Sequence, residues 1–188
     1  MLRIDNVLDV DYNWKLNELF TSVEFPWYFQ RQTHTIGDPL SVLNVGFTHV
    51  FVSDGKENSD MAFVLEPLLE FLSKKFKGVE ILRAQTNLLL NHGRPYIGTI
   101  HTDGFDGYEL SGKTWLSAVY YVSQSDGDTV FFDQNGYEVE RQSPQANSII
   151  LFHGKKPHAA SLPVNSPSRI VININCLIPN ISWVTKGV

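Results

Sequence analysis

Cysteine is nearly absent. Cys176 stands alone among 188 residues, which excludes an internal disulfide, and its place in the apolar stretch VININCLIPN reads as a buried core thiol. No apolar run approaches the roughly 20 residues needed to span a bilayer, so no membrane segment is expected. The first 20 residues carry Asp5, Asp9 and Asp11 among their apolar positions, unlike a secretory leader, and a cytoplasmic protein is predicted. Basic residues are outnumbered, 15 Lys and Arg against 20 Asp and Glu. The resulting net charge of −5 opposes non-specific attraction to phosphate backbones, so nucleic acid is a disfavoured substrate. Internal repeats, low-complexity tracts and Ser/Gly-rich linkers are lacking too, and a single domain over residues 1–188 follows.

What is present is the composition of an ordinary globular chain, 43% hydrophobic and 19% charged, with an aromatic share of 12% that suits β structure. Two segments have helical periodicity. Asn13 to about Ser22 spaces Trp14, Leu16, Leu19 and Phe20 on mixed helical intervals, and Ser59 to Phe76 spaces Met61, Val64, Leu68, Leu72 and Phe76 at threes and fours, with Ser59 as the expected N-cap. Residues 1–78 are therefore expected to form a largely helical support. From 79 to 180 the texture changes to short β-type runs: VEILRAQTNLLL, YIGTIHTD, KTWLSAVYYVS, DTVFFD, YEVERQ, ANSIILFHG and SRIVININCLI. The breaks between them hold Gly, Asn, Asp, Pro and Ser. This predicts a mainly β (α+β) protein, a sandwich or barrel buttressed by helices. Helix-length segments do not separate the strands, which disfavours a parallel α/β sheet.

In an extended YIGTIHTD, His101 and Asp103 project to one side and Thr102 to the other, so two ligands can reach one ion. Such a triplet alone is a weak signal. It gains weight from LFHGKKPHAASLPVNSPSRIVININ, where an apolar strand, a Gly turn, His158 and Arg169 precede another apolar strand. Two imidazoles and a carboxylate form the facial set that suits iron(II) and leaves coordination positions open. Arg169 offers a planar fork for a carboxylate. His153 competes with His158 for the third ligand position, and Pro157 with the following AAS favours His158. His34, His49 and His92 are expected in turn, surface or satisfied core positions. On the opening strand, Arg83, Gln85, Asn87 and Asn91 share a polar face opposite Ala84, Thr86, Leu88 and Leu90. Asn87 and Arg83 become cosubstrate or substrate contacts if that face lines a barrel mouth. NHGRPYIG, with Arg94 and Tyr96, and GFDGYELSGKT, with Phe105, Asp106 and Tyr108, are lid candidates.

Together, HTD, the His158 to Arg169 spacing and the run YYVSQSDGDTVFF resemble the iron(II) and 2-oxoglutarate-dependent dioxygenases, particularly the prolyl 4-hydroxylase-like branch, over about residues 80–178. The resemblance implies a double-stranded β-helix, a jelly roll of cupin-like type, with N-terminal helices packed against one sheet. It implies Fe(II), 2-oxoglutarate and O2 as cofactor and cosubstrates, with His101, Asp103 and His158 on the metal and Arg169 on the far carboxylate of 2-oxoglutarate. It also implies a Tyr donating to that carboxylate, matched best by Tyr121; a register shift of one would substitute Tyr120. The implied reaction couples 2-oxoglutarate decarboxylation to hydroxylation of a C–H bond. A prolyl residue in a peptide is the leading substrate, ahead of an amino acid or other small molecule, with a nucleobase last. The chain has Arg169 where several prolyl hydroxylases have Lys, and their peptide-binding loops have no match. Two other readings stay open: a cupin-like zinc or nickel protein, hydrolytic or structural, and a jelly-roll interaction module without turnover.

Overall fold

The computed structural model describes residues 1–31, 45–103 and 112–179. Its scaffold is two antiparallel sheets. The larger has eight strands: β1 (Leu2–Asp5), β2 (Tyr28–Arg31), β3 (Val45–Ser53), β4 (Lys56–Glu57), β5 (Glu80–Leu90), β6 (Lys113–Tyr121), β9 (Ser148–His153) and β11 (Ser168–Pro179), in the order β1-β9-β6-β11-β5-β3-β2 with β4 on β3. The smaller joins β10 (His158–Ala160), β7 (Thr129–Phe132) and β8 (Glu138–Gln142), in that order. This is the expected mainly β jelly roll with two helices.

Strand alternation divides the large sheet into two faces. On β11 the side chains of Ile170, Ile172, Ile174, Cys176 and Ile178 join a core with Leu16 and Phe20 of α1 (Val10–Thr21) and Leu68 and Leu72 of α2 (Glu66–Lys75). Burying each such side chain contributes about 1.5–3 kcal/mol. The odd-numbered Arg169, Val171, Asn173 and Asn175 instead line a cavity of about 960 Å³. Thr129, His158, Ala159 and Ala160 reach it from the small sheet, so the cavity lies between the two layers.

The N-terminal part departs from a largely helical support. It holds both helices, but among the described residues it also supplies β1 to β4 to the large sheet. Helix α1 begins earlier than its apolar spacing suggests, because the Asp9 carboxylate caps it, accepting from the backbone N–H groups of Asp11 and Tyr12. Ser59 does not cap α2. Its hydroxyl accepts from the Met61 N–H, a 3-10 turn follows at Ala62–Leu65, and α2 starts at Glu66 with Pro67 in its first turn, where a missing N–H costs nothing. YIGTIHTD is likewise not a continuous strand. It touches β10 through isolated bridges, Ile97 to Ser161 and His101 to His158, four residues apart on one side and three on the other, so one extra residue is accommodated between them. Among the described residues, no helix is long and apolar enough to cross a membrane.

Candidate active site

The bulged segment and the start of β10 bring His101, Asp103 and His158 together. One donor atom from each lies within 4.8 Å of the others. His101 Nε2 is 3.9 Å from Asp103 Oδ1, and His158 Nε2 is 3.6 Å from Asp103 Oδ2. Backbone bonds in both directions between His101 and His158 lock the two histidines side by side, and the Asp103 N–H bonds to the Gly154 carbonyl at 2.8 Å. The side chains are 51%, 12% and 5% exposed from His101 through Asp103 to His158, so the cluster runs from the cavity wall inward.

The tautomers suit a metal. Nδ1 of His101 donates to the Thr99 carbonyl at 3.0 Å and Nδ1 of His158 to the Lys156 carbonyl at 2.9 Å, because a carbonyl can only accept. Each imidazole therefore presents the lone pair of Nε2 to the cluster. Burial pushes the His158 pKa down, and His101 and Arg169 add to this, against Asp103 and the Lys156 carbonyl. The neutral, ligating form is favoured.

His153 is elsewhere. It ends β9 opposite Leu116, and its Nδ1 accepts from the Lys155 N–H. His49 is a satisfied core residue, bonded to the Pro26 carbonyl and the Ser59 hydroxyl, while His92 is exposed. His34 and the lid candidates Phe105, Asp106 and Tyr108 lie outside the described residues.

Arg169 occupies the same cavity with only 4% of its surface exposed. Its Nε donates to the Gly127 carbonyl at 2.7 Å and its Nη2 to the Thr129 hydroxyl at 2.9 Å. Burial works against its charge, and nearby Tyr121 and Asp128 oppose that effect. Guanidinium keeps its proton regardless. Its hydrogen-bond partners among the described residues are neutral, so a buried cation faces the cavity without an ion-paired carboxylate. An anionic ligand fits that position.

Tyr121 lies behind this cation, its ring 6.0 Å from the guanidinium carbon and its hydroxyl sharing a 2.8 Å hydrogen bond with Thr129. Burial pushes its pKa up. Tyr120 faces the helices, its hydroxyl within hydrogen-bond distance of Asn13 Oδ1 at 2.6 Å and Asn147 Oδ1 at 3.0 Å. Thr129, which joins Tyr121 to Arg169 and itself lines the cavity, was not signalled by the sequence beyond the GDT pattern. On β5, Arg83, Gln85 and Asn87 line the cavity as their shared parity suggests. Asn91 is used differently: its Nδ2 ties down the carbonyls of Val164 and Ser166. Tyr96 and Thr102 also line the cavity, Thr102 because the backbone there is not a regular strand.

The model of the 2OG-Fe(II) oxygenase superfamily matches residues 89–176, a stretch that contains the whole triad and Arg169. This stretch belongs to the 2OG-Fe(II) oxygenase superfamily. The cofactor and cosubstrate that the family and the triad indicate are Fe(II) and 2-oxoglutarate.

Solved structures share the fold at low identity. A 2OG-Fe(II) oxygenase family oxidoreductase from Burkholderia pseudomallei is 14% identical, with a TM-score of 0.65 over 93% of this chain and 82% of that one. A prolyl hydroxylase from Trichoplax adhaerens, in complex with a hypoxia inducible factor oxygen degradation domain peptide fragment, is 12% identical, with a TM-score of 0.62 over 95% and 83%. The carbocyclase SnoK of nogalamycin biosynthesis is 10% identical, with a TM-score of 0.63 over 94% and 79%. A search of curated proteins finds no match. The same fold thus serves different oxidative outcomes.

Proposed function

We propose that this 2OG-Fe(II) oxygenase hydroxylates a C–H bond of a peptide, with a prolyl residue as the leading target. The observation that carries the oxygenase chemistry is that the triad and the buried Arg169 open into one cavity. His101, Asp103 and His158 would hold Fe(II), which with 2-oxoglutarate and O2 supplies the oxidising power. Arg169 would bind the far carboxylate of 2-oxoglutarate, its fork fixed by Gly127 and Thr129 and its position backed by Tyr121. Those contacts orient the cosubstrate before any reaction.

The peptide reading draws on the cavity wall. The inner face of β5 and β11 presents Gln85, Asn87, Asn173 and Asn175, uncharged carboxamides that can both donate and accept, as peptide groups do. The Gln85 amide donates to Asn87 at 3.1 Å, and its own carbonyl oxygen is buried with no partner among the described residues, so an acceptor is left for a ligand donor. Arg83, more exposed on the same face, is then a substrate contact and Asn87 a contact to substrate or cosubstrate. The Trichoplax relative is itself bound to a peptide.

The experiment is anaerobic addition of Fe(II) and 2-oxoglutarate, followed by oxygen in the presence of paired peptides that differ only by Pro or Ala. A visible metal-to-ligand charge-transfer band, then succinate release stimulated by the Pro peptide, is expected. Absence of band and succinate defeats the oxygenase reading. A band with equal succinate from both peptides defeats only the prolyl target.

A further inference from the structure

Asp103 sits in an irregular stretch, yet one of its carboxylate oxygens is tied to the rigid large sheet. The Ser117 hydroxyl on β6, fully buried, lies 2.7 Å from Asp103 Oδ2. A carboxylate can only accept, so Ser117 must direct its single proton there. Asn175, its cross-strand partner on β11, donates Nδ2–H to the Ser117 oxygen at the long distance of 3.5 Å. On its other side Ser117 is paired with Phe152 of β9. The direction of the relay, from Asn175 through Ser117 to Asp103, is thus fixed by chemistry.

We infer that Ser117 is a positioning residue that engages Oδ2 of Asp103 and thereby presents Oδ1 as a single-oxygen metal ligand. This rests on the metal centre proposed above and deepens it. A carboxylate that swung to offer both oxygens would consume one of the positions that the facial triad leaves open. Hydrogen bonds to ligating groups of this kind typically contribute 10–100-fold to metal affinity. Among the described residues the Ser117 hydroxyl hydrogen-bonds to Asp103 and Asn175 and to neither histidine, so its effect passes through Asp103.

The test uses Mn(II) as the probe, titrated into the full chain without oxygen or 2-oxoglutarate and followed by electron paramagnetic resonance. Ser117→Ala, and Ser117→Cys as a near-isosteric variant with a much weaker donor, are expected to weaken Mn(II) binding about 10–100-fold and to alter the spectrum of the bound ion. Metal-free melting of the Cys variant should stay close to that of the parent, and Asn175→Ala should weaken binding less than either. Parent-like Mn(II) affinity in a folded Ser117→Cys chain overturns the inference, as does weakened binding matched only by a general loss of fold. Failure of the unaltered chain to bind Mn(II) would instead overturn the metal centre itself.

Discussion

The Gly127 carbonyl accepts the Nε–H of Arg169 at 2.7 Å, and a Cβ on residue 127 would stand 2.9 Å from Arg169 Cδ. The Ser161 carbonyl oxygen and the Pro163 nitrogen close the remaining space at 2.9 and 3.1 Å, so neither side can give way without moving backbone. Gly127→Ala is therefore expected to push the guanidinium off its anchors. Affinity for 2-oxoglutarate, measured by titration of the charge-transfer band, should fall about tenfold, with a stability loss of about 1–3 kcal/mol from overpacking. Mn(II) affinity should persist. Unchanged 2-oxoglutarate affinity would mean that the close approach does not position Arg169.

Arg169→Ala removes the cation itself. Hydrogen bonds to charged groups contribute about 1.5–3 kcal/mol, so 2-oxoglutarate affinity should drop about tenfold to a hundredfold while the metal is retained. Arg169→Lys should fall between, since an ammonium cannot form the two-pronged contact. Parallel isothermal titrations with Mn(II) and with 2-oxoglutarate separate the two effects.

The two candidate histidines give a sharper contrast. His158→Ala should abolish the Fe(II) and 2-oxoglutarate band, because Nε2 of His158 belongs to the cluster. His153→Ala should leave it, since His153 lies at the end of β9 and its Nδ1 accepts from a backbone amide. Loss of the band in the His153 variant alone would reverse the ligand assignment.

How much of this was legible beforehand varies with sequence distance. Strands β5, β6, β9 and β11 could be read because their apolar and polar positions alternate or run together between clear breaks, as in Ile170, Ile172 and Ile174 against Asn173 and Asn175. The N-terminal strands were harder: β1 has four residues, and β3, Val45–Ser53, mixes apolar and polar positions without clean alternation. Period-two reasoning paired His101 with Asp103 although the backbone there carries a bulge. Pro157 and the strand after it favoured His158 over His153. The contacts of Thr129 with Arg169 and of Ser117 with Asp103 join residues 40 and 14 positions apart. The first crosses from the small sheet to the large one and the second ties an irregular stretch to β6, so both depend on how distant segments pack, and no local pattern carries that packing.

Cys176 offers a check on the helix-covered face. Burial pushes its thiol up to about 12, and its Sγ lies 3.7 Å from the Leu116 carbonyl. The thiol therefore stays protonated throughout the physiological range and unreactive. A disulfide exchange reagent at pH 8 should find no accessible thiol in the native chain and one equivalent after denaturation. Rapid labelling of native protein would show that the core between β11 and the helices opens.

Acid stability should depend on Asp126. Burial pushes its carboxyl up, but hydrogen bonds from Ser166, Asn165 and Val164 outweigh that and hold it well below the usual carboxylate range. These bonds clip the turn that carries the chain past Gly127 into β11 and Arg169. A carboxyl whose folded pKa is depressed stabilises the fold fully above its unfolded value, about 3.9, and progressively less as pH falls from there toward the folded value. Asp126→Asn should lower the melting temperature at pH 7 by about 2–4 °C, the shift that a loss of about 1 kcal/mol gives a chain of this size after solvent screening. The gap between parent and variant should then close as the pH drops below about 4. A gap that widened with acid would show that the charge of Asp126, rather than its hydrogen bonds, opposes folding.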